Sequence, residues 1–277
     1  MNRMIREPWE VAGRVFALAA LGAGLFGAVG CDDKPEAPAA AVAPQSSALS
    51  PVKPAAMGAV KLIVEKAPSK IDFTMDAPKE KIHGKATDST SGELNVDPSD
   101  LTKSTGLITI DISGLEIFQT VADEKDGKFG EEKKSDAQNK HARTWLEISD
   151  DAPADKRAEN ARVQFAIKSV EVAGEKSLAK LTGPERKVML TAKGDFLLHG
   201  HKAEKTAQLE ATFRVEGEKI VSVAVKSARP IAVDLAEFDV KPRDAFGRFA
   251  AKTLDVLAPK VNKEASVSVE FVAKAAP

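Results

Sequence analysis

Two histidines separated by a single residue are the first candidates for chemistry in this sequence. His199 and His201 are two positions apart, so on an extended strand their side chains lie on the same face and can bind one metal ion. The other histidines, His83 and His141, are distant in the sequence, and no Asp or Glu accompanies any of the four at the spacing of a known metal motif. We therefore expect no metal site, and we expect His199 and His201 to be solvated at a strand end.

Motifs for catalysis are missing from the sequence. It contains no G-x-S-x-G nucleophile turn, no H-E-x-x-H zinc helix and no glycine-rich phosphate loop. Carboxylates such as Asp195 are expected to lie on the wet face of a strand, and no two of them have a sequence reason to share a site. The sequence therefore points away from an enzyme, and it predicts no cofactor.

Cys31 is the only cysteine, and the residues before it predict lipid attachment. An uncharged apolar run at 15–29 follows several arginines, and its length of about 15 residues is less than the ~20 that a membrane-spanning helix needs. Ala28-Val29-Gly30-Cys31 resembles the lipobox of bacterial lipoproteins, which usually has Leu where Ala28 stands. We expect a signal peptide at 1–30 and lipidation of Cys31. The alternative is an ordinary secretory signal followed by an unrelated cysteine.

The segment after Cys31 is expected to connect this anchor to a folded domain. Residues 31–57 are rich in Pro, Ala and Ser, which predicts a disordered, extended tether. Asp32 resembles the residue that retains enteric lipoproteins in the inner membrane. We therefore expect a lipid-anchored protein of the bacterial cell envelope that faces the periplasm, with one folded domain at 58–277.

Apolar and polar residues alternate along most of the folded domain, which predicts antiparallel strands with one wet face. The long run at 187–199 favours closure into a barrel over a two-layer sandwich, because closure removes free sheet edges. A turn at Gly217 predicts a hairpin. We predict an all-β fold, an antiparallel β-barrel of about eight strands. The fold also includes one or two short helices, at 139–146 and 249–257. Exposed polar excursions are expected at 123–136 and 150–160.

The apolar faces of these strands can fill a core or line a cavity, and the pattern alone leaves both open. If they line a cavity, an elongated aliphatic ligand would contact them. The candidate ligand-binding residues are Phe73, Ile108, Ile110, Trp145, Phe165, Phe196, Leu198 and Phe213.

Several motifs, taken in their order along the chain, resemble the YceI-like family. That resemblance implies a lipocalin-like barrel that binds a polyisoprenoid chain or a related amphiphile, and a possible homodimer. Residues 139–146 depart from the family, because only His141 and the aromatic residue after it match the family's D-x-H-L stretch. The motifs that match are Ser69–Thr74, His83–Lys85, Ser91–Leu94, Gly106–Asp111, Lys193–Gly200 and Val233–Phe238.

Three functions remain as expectations. The first is a membrane-anchored lipoprotein that carries or stores a long-chain isoprenoid-like lipid. The second is an envelope interaction module with a filled core, which would use the charged stretches 123–136 and 150–160. The third, a metal-dependent enzyme built on His199 and His201, is the weakest. A net charge of −1 argues against binding of nucleic acid.

Overall fold

The computed structural model describes residues 48–51, 53–123, 125–241 and 264–276. The expectations for the signal peptide at 1–30, for Cys31 and for a helix at 249–257 lie outside these ranges. No helix within them is long and apolar enough to cross a membrane. Leu49, in the predicted tether, donates a backbone hydrogen bond of 2.7 Å to the buried side chain of Gln164.

Strands make up most of the described chain, and two short α-helices interrupt them. The helices are α1 (Asp136–Trp145) and α2 (Ala154–Asn160). The strands are β1 (Val60–Ala77), β2 (Glu80–Thr87), β3 (Thr90–Val96), β4 (Thr105–Asp111), β5 (Glu116–Val121), β6 (Lys133–Lys134), β7 (Arg162–Ala173), β8 (Glu185–Leu198), β9 (His201–Glu216), β10 (Lys219–Ser227), β11 (Ile231–Asp234) and β12 (Glu264–Ala275).

Eight of these strands close into an antiparallel barrel in the order β1-β3-β4-β7-β8-β9-β10-β12, and β12 then pairs with β1. β1 is long enough to pair with β3 through its first residues and with β2 through its last. β2, β5 and β6 therefore extend the wall at one end. The structure confirms the predicted all-β, lipocalin-like barrel with two short helices.

The predicted alternation is clearest in β8 and β9, which pair along their whole lengths. The interior face of β9 carries Ala211, Phe213 and Val215, all buried, between exposed or half-buried polar residues. The hairpin at Gly217 is also confirmed, because Gly217 has φ +63° between the paired residues Glu216 and Lys219. The excursion at 123–136 contains the short β6, and the one at 150–160 contains α2.

The prediction that His199 and His201 share one face of a strand is wrong. β8 ends at Leu198 and β9 begins at His201, so His199 and Gly200 form the two-residue turn between them. Both turn residues have positive φ, +51° and +72°, as a type I′ hairpin turn requires. His199 is also not solvated: it is only 5% exposed. The turn directs its imidazole inward, towards the carbonyl of Phe238.

One end of the barrel interior is closed by apolar residues from two short 3₁₀ turns. Leu101 and Leu178, from the turns Leu101–Lys103 and Leu178–Lys180, are almost completely buried there. Asp97 holds the first of these turns by accepting hydrogen bonds from the backbone N–H groups of Ser99 (2.9 Å) and Asp100 (3.1 Å). The opposite end is covered differently, by α1 and by the turn that follows β11.

Gly194 allows β7 and β8 to approach closely, and this generates a prediction. A Cβ atom at Gly194 would lie 2.3 Å from the carbonyl oxygen of Ala166, so the strands would have to separate. We expect Gly194→Ala to lower the free energy of unfolding by about 2 kcal/mol in urea titrations followed by circular dichroism. Gly114→Ala is the matched control, because nothing lies within 4 Å of its added Cβ. Equal stability of the two variants would contradict the close strand approach.

Candidate functional site

The barrel interior contains a cavity of about 500 Å³. This volume lies within the range of ligand pockets in proteins, roughly 300–1,000 Å³. Its walls are almost entirely aliphatic and aromatic side chains from the barrel strands, together with residues of α1 and of the chain after β11. The interior is therefore not packed solid. The interaction module with a filled core would require a solid interior.

All eight residues that were predicted to contact a ligand line this cavity, and their role in binding stays a prediction. Trp145 comes from α1, and the other seven come from the barrel wall. The seven are Phe73, Ile108, Ile110, Phe165, Phe196, Leu198 and Phe213.

Small residues in the wall leave room for the large ones and for the cavity. The ring of Phe73 lies over Gly84, its partner on β2, where a Cβ atom would come within 1.9 Å of the ring. Ala192 and Ala207 are directly opposite each other on β8 and β9, and both line the cavity. Longer side chains at these positions would occupy the space that the cavity now has.

A few polar groups gather where α1 covers the cavity. Glu80 accepts hydrogen bonds from Gln119 Nε2 (2.5 Å) and from Gln138 Nε2 (3.0 Å). The rings of His141 and Trp145 are stacked one turn apart on α1, with centroids 6.3 Å apart. Glu80, Gln138, His141 and Trp145 all line the cavity, whereas no Lys or Arg does so among the described residues. No periodic signal in the sequence points to Glu80 or Gln138, since Gln138 lies on a helix and the two side chains meet only in the tertiary structure.

Several polar contacts attach α1 to the barrel wall, and Asn139 makes two of them. Asn139 behaves like a strand partner of β5, because its Oδ1 accepts from the N–H of Ile117 (2.9 Å) and its Nδ2 donates to the carbonyl of Ile117 (3.0 Å). Ser135 caps the start of the helix by accepting from the N–H of Gln138 (3.3 Å). No residue of α1 is fully buried, and two of its apolar side chains pack against the core, so polar contacts and this packing together hold it over the cavity.

An ion-pair cluster on the outer face holds the segment before α1 against β2. His83 lies between two carboxylates, with Nδ1 2.7 Å from Glu132 Oε1 and Nε2 2.9 Å from Asp72 Oδ1. Partial burial disfavours ionisation of Asp72, but hydrogen bonds from Lys70 and His83 outweigh it, so the pKa of Asp72 lies below its ordinary value. Hydrogen bonds from Lys85 and His83 likewise lower the pKa of Glu132.

Comparison with known proteins places this barrel in a family. The model of the YceI-like domain matches residues 63–273, which is most of the chain. The chain belongs to the YceI-like family. The expected family motifs occupy defined places in the barrel: His83–Lys85 lies on β2, and Lys193–Gly200 covers the end of β8 and the turn after it. The segment at 139–146, which departs from the family pattern, forms most of α1.

Two solved structures are similar to this YceI-like protein. One is a polyisoprenoid binding domain from Saccharophagus degradans implicated in plant cell wall breakdown, with a TM-score of 0.45 and 15% identity, covering 79% of this chain and 99% of that one. The other is Burkholderia cenocepacia BcnA, with a TM-score of 0.44 and 15% identity, covering 76% of this chain and 99% of that one. A search of curated proteins finds no match.

The attachment of α1 through Asn139 generates a prediction. Asn139→Ala removes the side-chain bonds to Ile117, so we expect α1 to lose about 2 kcal/mol of stabilisation and to exchange its amide hydrogens faster. The emission of Trp145 should shift to longer wavelength as the ring meets water. Lys140→Ala, at the exposed neighbouring position, is the control and should leave both readouts unchanged. Unchanged exchange in Asn139→Ala would show that α1 is held by other contacts.

Proposed function

We propose that this YceI-like protein binds an elongated apolar ligand, a polyisoprenoid or a similar amphiphile, inside its barrel for carriage or storage. The single observation that carries this proposal is the apolar cavity of about 500 Å³ in a closed barrel. Each methylene of a ligand that leaves water for such walls contributes about 0.8 kcal/mol. A chain of several isoprene units therefore gains affinity along its length without any specific polar contact.

The polar groups beneath α1 support a neutral head group. A phosphate-bearing lipid would be favoured by Lys or Arg at the cavity, yet the described lining has Glu80 and no cationic side chain of that kind. Glu80, Gln138 and His141 can accept or donate hydrogen bonds to an uncharged carbonyl or hydroxyl. Trp145, beside His141, offers a flat aromatic surface for a ring.

We also propose that the protein is anchored by lipid at Cys31, in the bacterial cell envelope and facing the periplasm. The support is the apolar run before Cys31 and the small residues that directly precede it. Asp32 favours the inner membrane. The Pro-, Ala- and Ser-rich residues after the anchor would give the barrel reach from the membrane surface. Binding and carriage need no catalytic group, and we propose no enzymatic activity.

Mass spectrometry of bound lipid tests the ligand directly. The full chain carrying Cys31→Ser is purified from bacterial cells and extracted with organic solvent. We expect a long-chain, isoprenoid-like lipid in stoichiometric amount. Clean extracts from folded protein that also fails to rebind added polyprenols or quinones would overturn the proposal, and the charged stretches at 123–136 and 150–160 would become the candidate surface.

Filling the cavity should block the ligand. Ala192→Leu combined with Ala207→Leu places two larger side chains opposite each other inside the barrel, so we expect at least about tenfold weaker binding of a long-chain quinone. Binding is followed by quenching of Trp145 in a Trp9→Phe background, which leaves one tryptophan. Ala224→Leu, at an exposed position of β10, is the control and should bind normally. Normal binding by the filled variant would place the ligand outside the cavity.

Lipidation of Cys31 has its own test. Cells expressing the wild-type chain are fed a clickable palmitate analogue, and we expect the protein to be labelled and to fractionate with membranes. Cys31→Ser should lose the label and the membrane fractionation together, whereas Asp33→Ala should keep both. A label that survives Cys31→Ser would show that the lipid is attached elsewhere or not covalently.

A further inference from the structure

The hairpin between β8 and β9 brings a group of metal-ligating side chains together outside the cavity. One ring nitrogen each from His199 and His201 and a carboxylate oxygen of Asp239 lie within 4.8 Å of one another. His199 is the first residue of the two-residue turn and His201 begins β9, whereas Asp239 ends the 3₁₀ turn Leu235–Phe238 that follows β11. Their side chains belong to two elements that only the barrel fold makes neighbours.

We propose that His199, His201 and Asp239 form a binding site for a divalent transition-metal ion such as Zn²⁺. Two imidazoles and a carboxylate are a ligand set that Zn²⁺ and its neighbours prefer, whereas Mg²⁺ and Ca²⁺ prefer oxygen alone. Ligand atoms about 2.1 Å from one tetrahedral ion are about 3.4 Å apart. The group must therefore contract by up to roughly 1.4 Å, and the two side chains that can move to do so are the half-buried His201 and Asp239.

The imidazole of His199 is already oriented for this role. The ring is 5% exposed, with Nδ1 3.2 Å from the carbonyl oxygen of Phe238 and Nε2 3.2 Å from Glu147 Oε2. Whichever nitrogen binds the ion, a protein acceptor remains beside the other. Metal-ligating histidines usually donate their second N–H to such a carbonyl or carboxylate, which fixes the ring.

The backbone around the group is held in an uncommon conformation. Four non-glycine residues have positive φ in the described ranges, and three of them, Glu147, His199 and Asp239, meet here with φ between +51° and +52°. Left-handed backbone is unfavourable for residues with a Cβ atom and persists where the surroundings dictate it, often at functional sites. Leu146, Leu198 and Val240, which adjoin these residues in the chain, line the cavity. A bound ion would therefore tie the cavity wall at the hairpin to the wall after β11.

Lys241 is the side chain that competes with an ion. Its Nζ lies 2.5 Å from Asp239 Oδ1, and its own side chain is 61% exposed, so it can turn into solvent when an ion binds. We expect Lys241→Ala to bind Zn²⁺ more tightly than the parent protein, because the ion no longer has to displace the Lys241 ammonium group from the Asp239 carboxylate.

Metal titration of histidine variants tests the site. The parent is the full chain with Cys31→Ser, which removes the only thiol, purified without a histidine tag and stripped with a chelator. Calorimetry with Zn²⁺ and visible absorption with Co²⁺ should each give one ion per chain. His201→Ala and Asp239→Asn should weaken binding at least about tenfold. His83→Ala and His141→Ala are matched controls that remove the other two histidines and should bind as the parent does.

The test uses His201 and Asp239, which are half-buried, because His199 is buried and its replacement can disturb the fold. Circular dichroism confirms that each variant is folded, and Zn²⁺ should raise the melting temperature of the parent by several degrees but not that of His201→Ala. The site is overturned if the parent binds no stoichiometric Zn²⁺ or Co²⁺. It is equally overturned if binding survives in both His201→Ala and Asp239→Asn, or is lost in His83→Ala. Lipid extraction of the same samples reports separately on the cavity.

Discussion

The pairing of β1 with β12 is the physical constraint on which the rest of the structure depends. These strands are the first and the last of the described strands in the sequence, and they are neighbours in space. Their antiparallel register runs from Leu62–Ala275 to Thr74–Ser266. Without it both would be edge strands with unpaired N–H and C=O groups. Closure satisfies the backbone of the wall through its own hydrogen bonds, so the sheet persists even though side chains do not fill the interior.

Side-chain size then decides that the interior is a cavity. Glycine and alanine occupy wall positions such as Gly84, Ala192 and Ala207, and the large rings of Phe73 and Phe165 lie over neighbouring glycines. At the end of the barrel away from α1, Leu101 and Leu178 are almost completely buried and close the interior with apolar side chains. The result is an apolar space with one end closed by leucines and the other under α1, where the polar side chains gather.

The covered end combines wall support with the proposed metal site. Phe238 is completely buried, and its ring meets Phe196 edge to face at 5.4 Å, which fixes the 3₁₀ turn against β8. The carbonyl of the same Phe238 lies 3.2 Å from His199 Nδ1, and Asp239 follows it directly. The contact that supports the cavity wall thus also sets the position of the metal-ligating side chains. A ligand inside the barrel and an ion outside it would act on the same packed turn.

The sequence by itself determined which side chains share a face of each strand. Period-two alternation identified the inward row of β9 and the seven strand residues among the eight ligand-binding candidates, because a pleated strand places alternate side chains on opposite faces. Only the tertiary structure decided which strand ends meet. His199 lies in a turn, not on a strand, and Glu147 and Asp239 reach it from 52 and 40 positions away in the chain. Local periodicity carries no information on contacts between residues so far apart in the chain, since these contacts follow from the way the barrel closes.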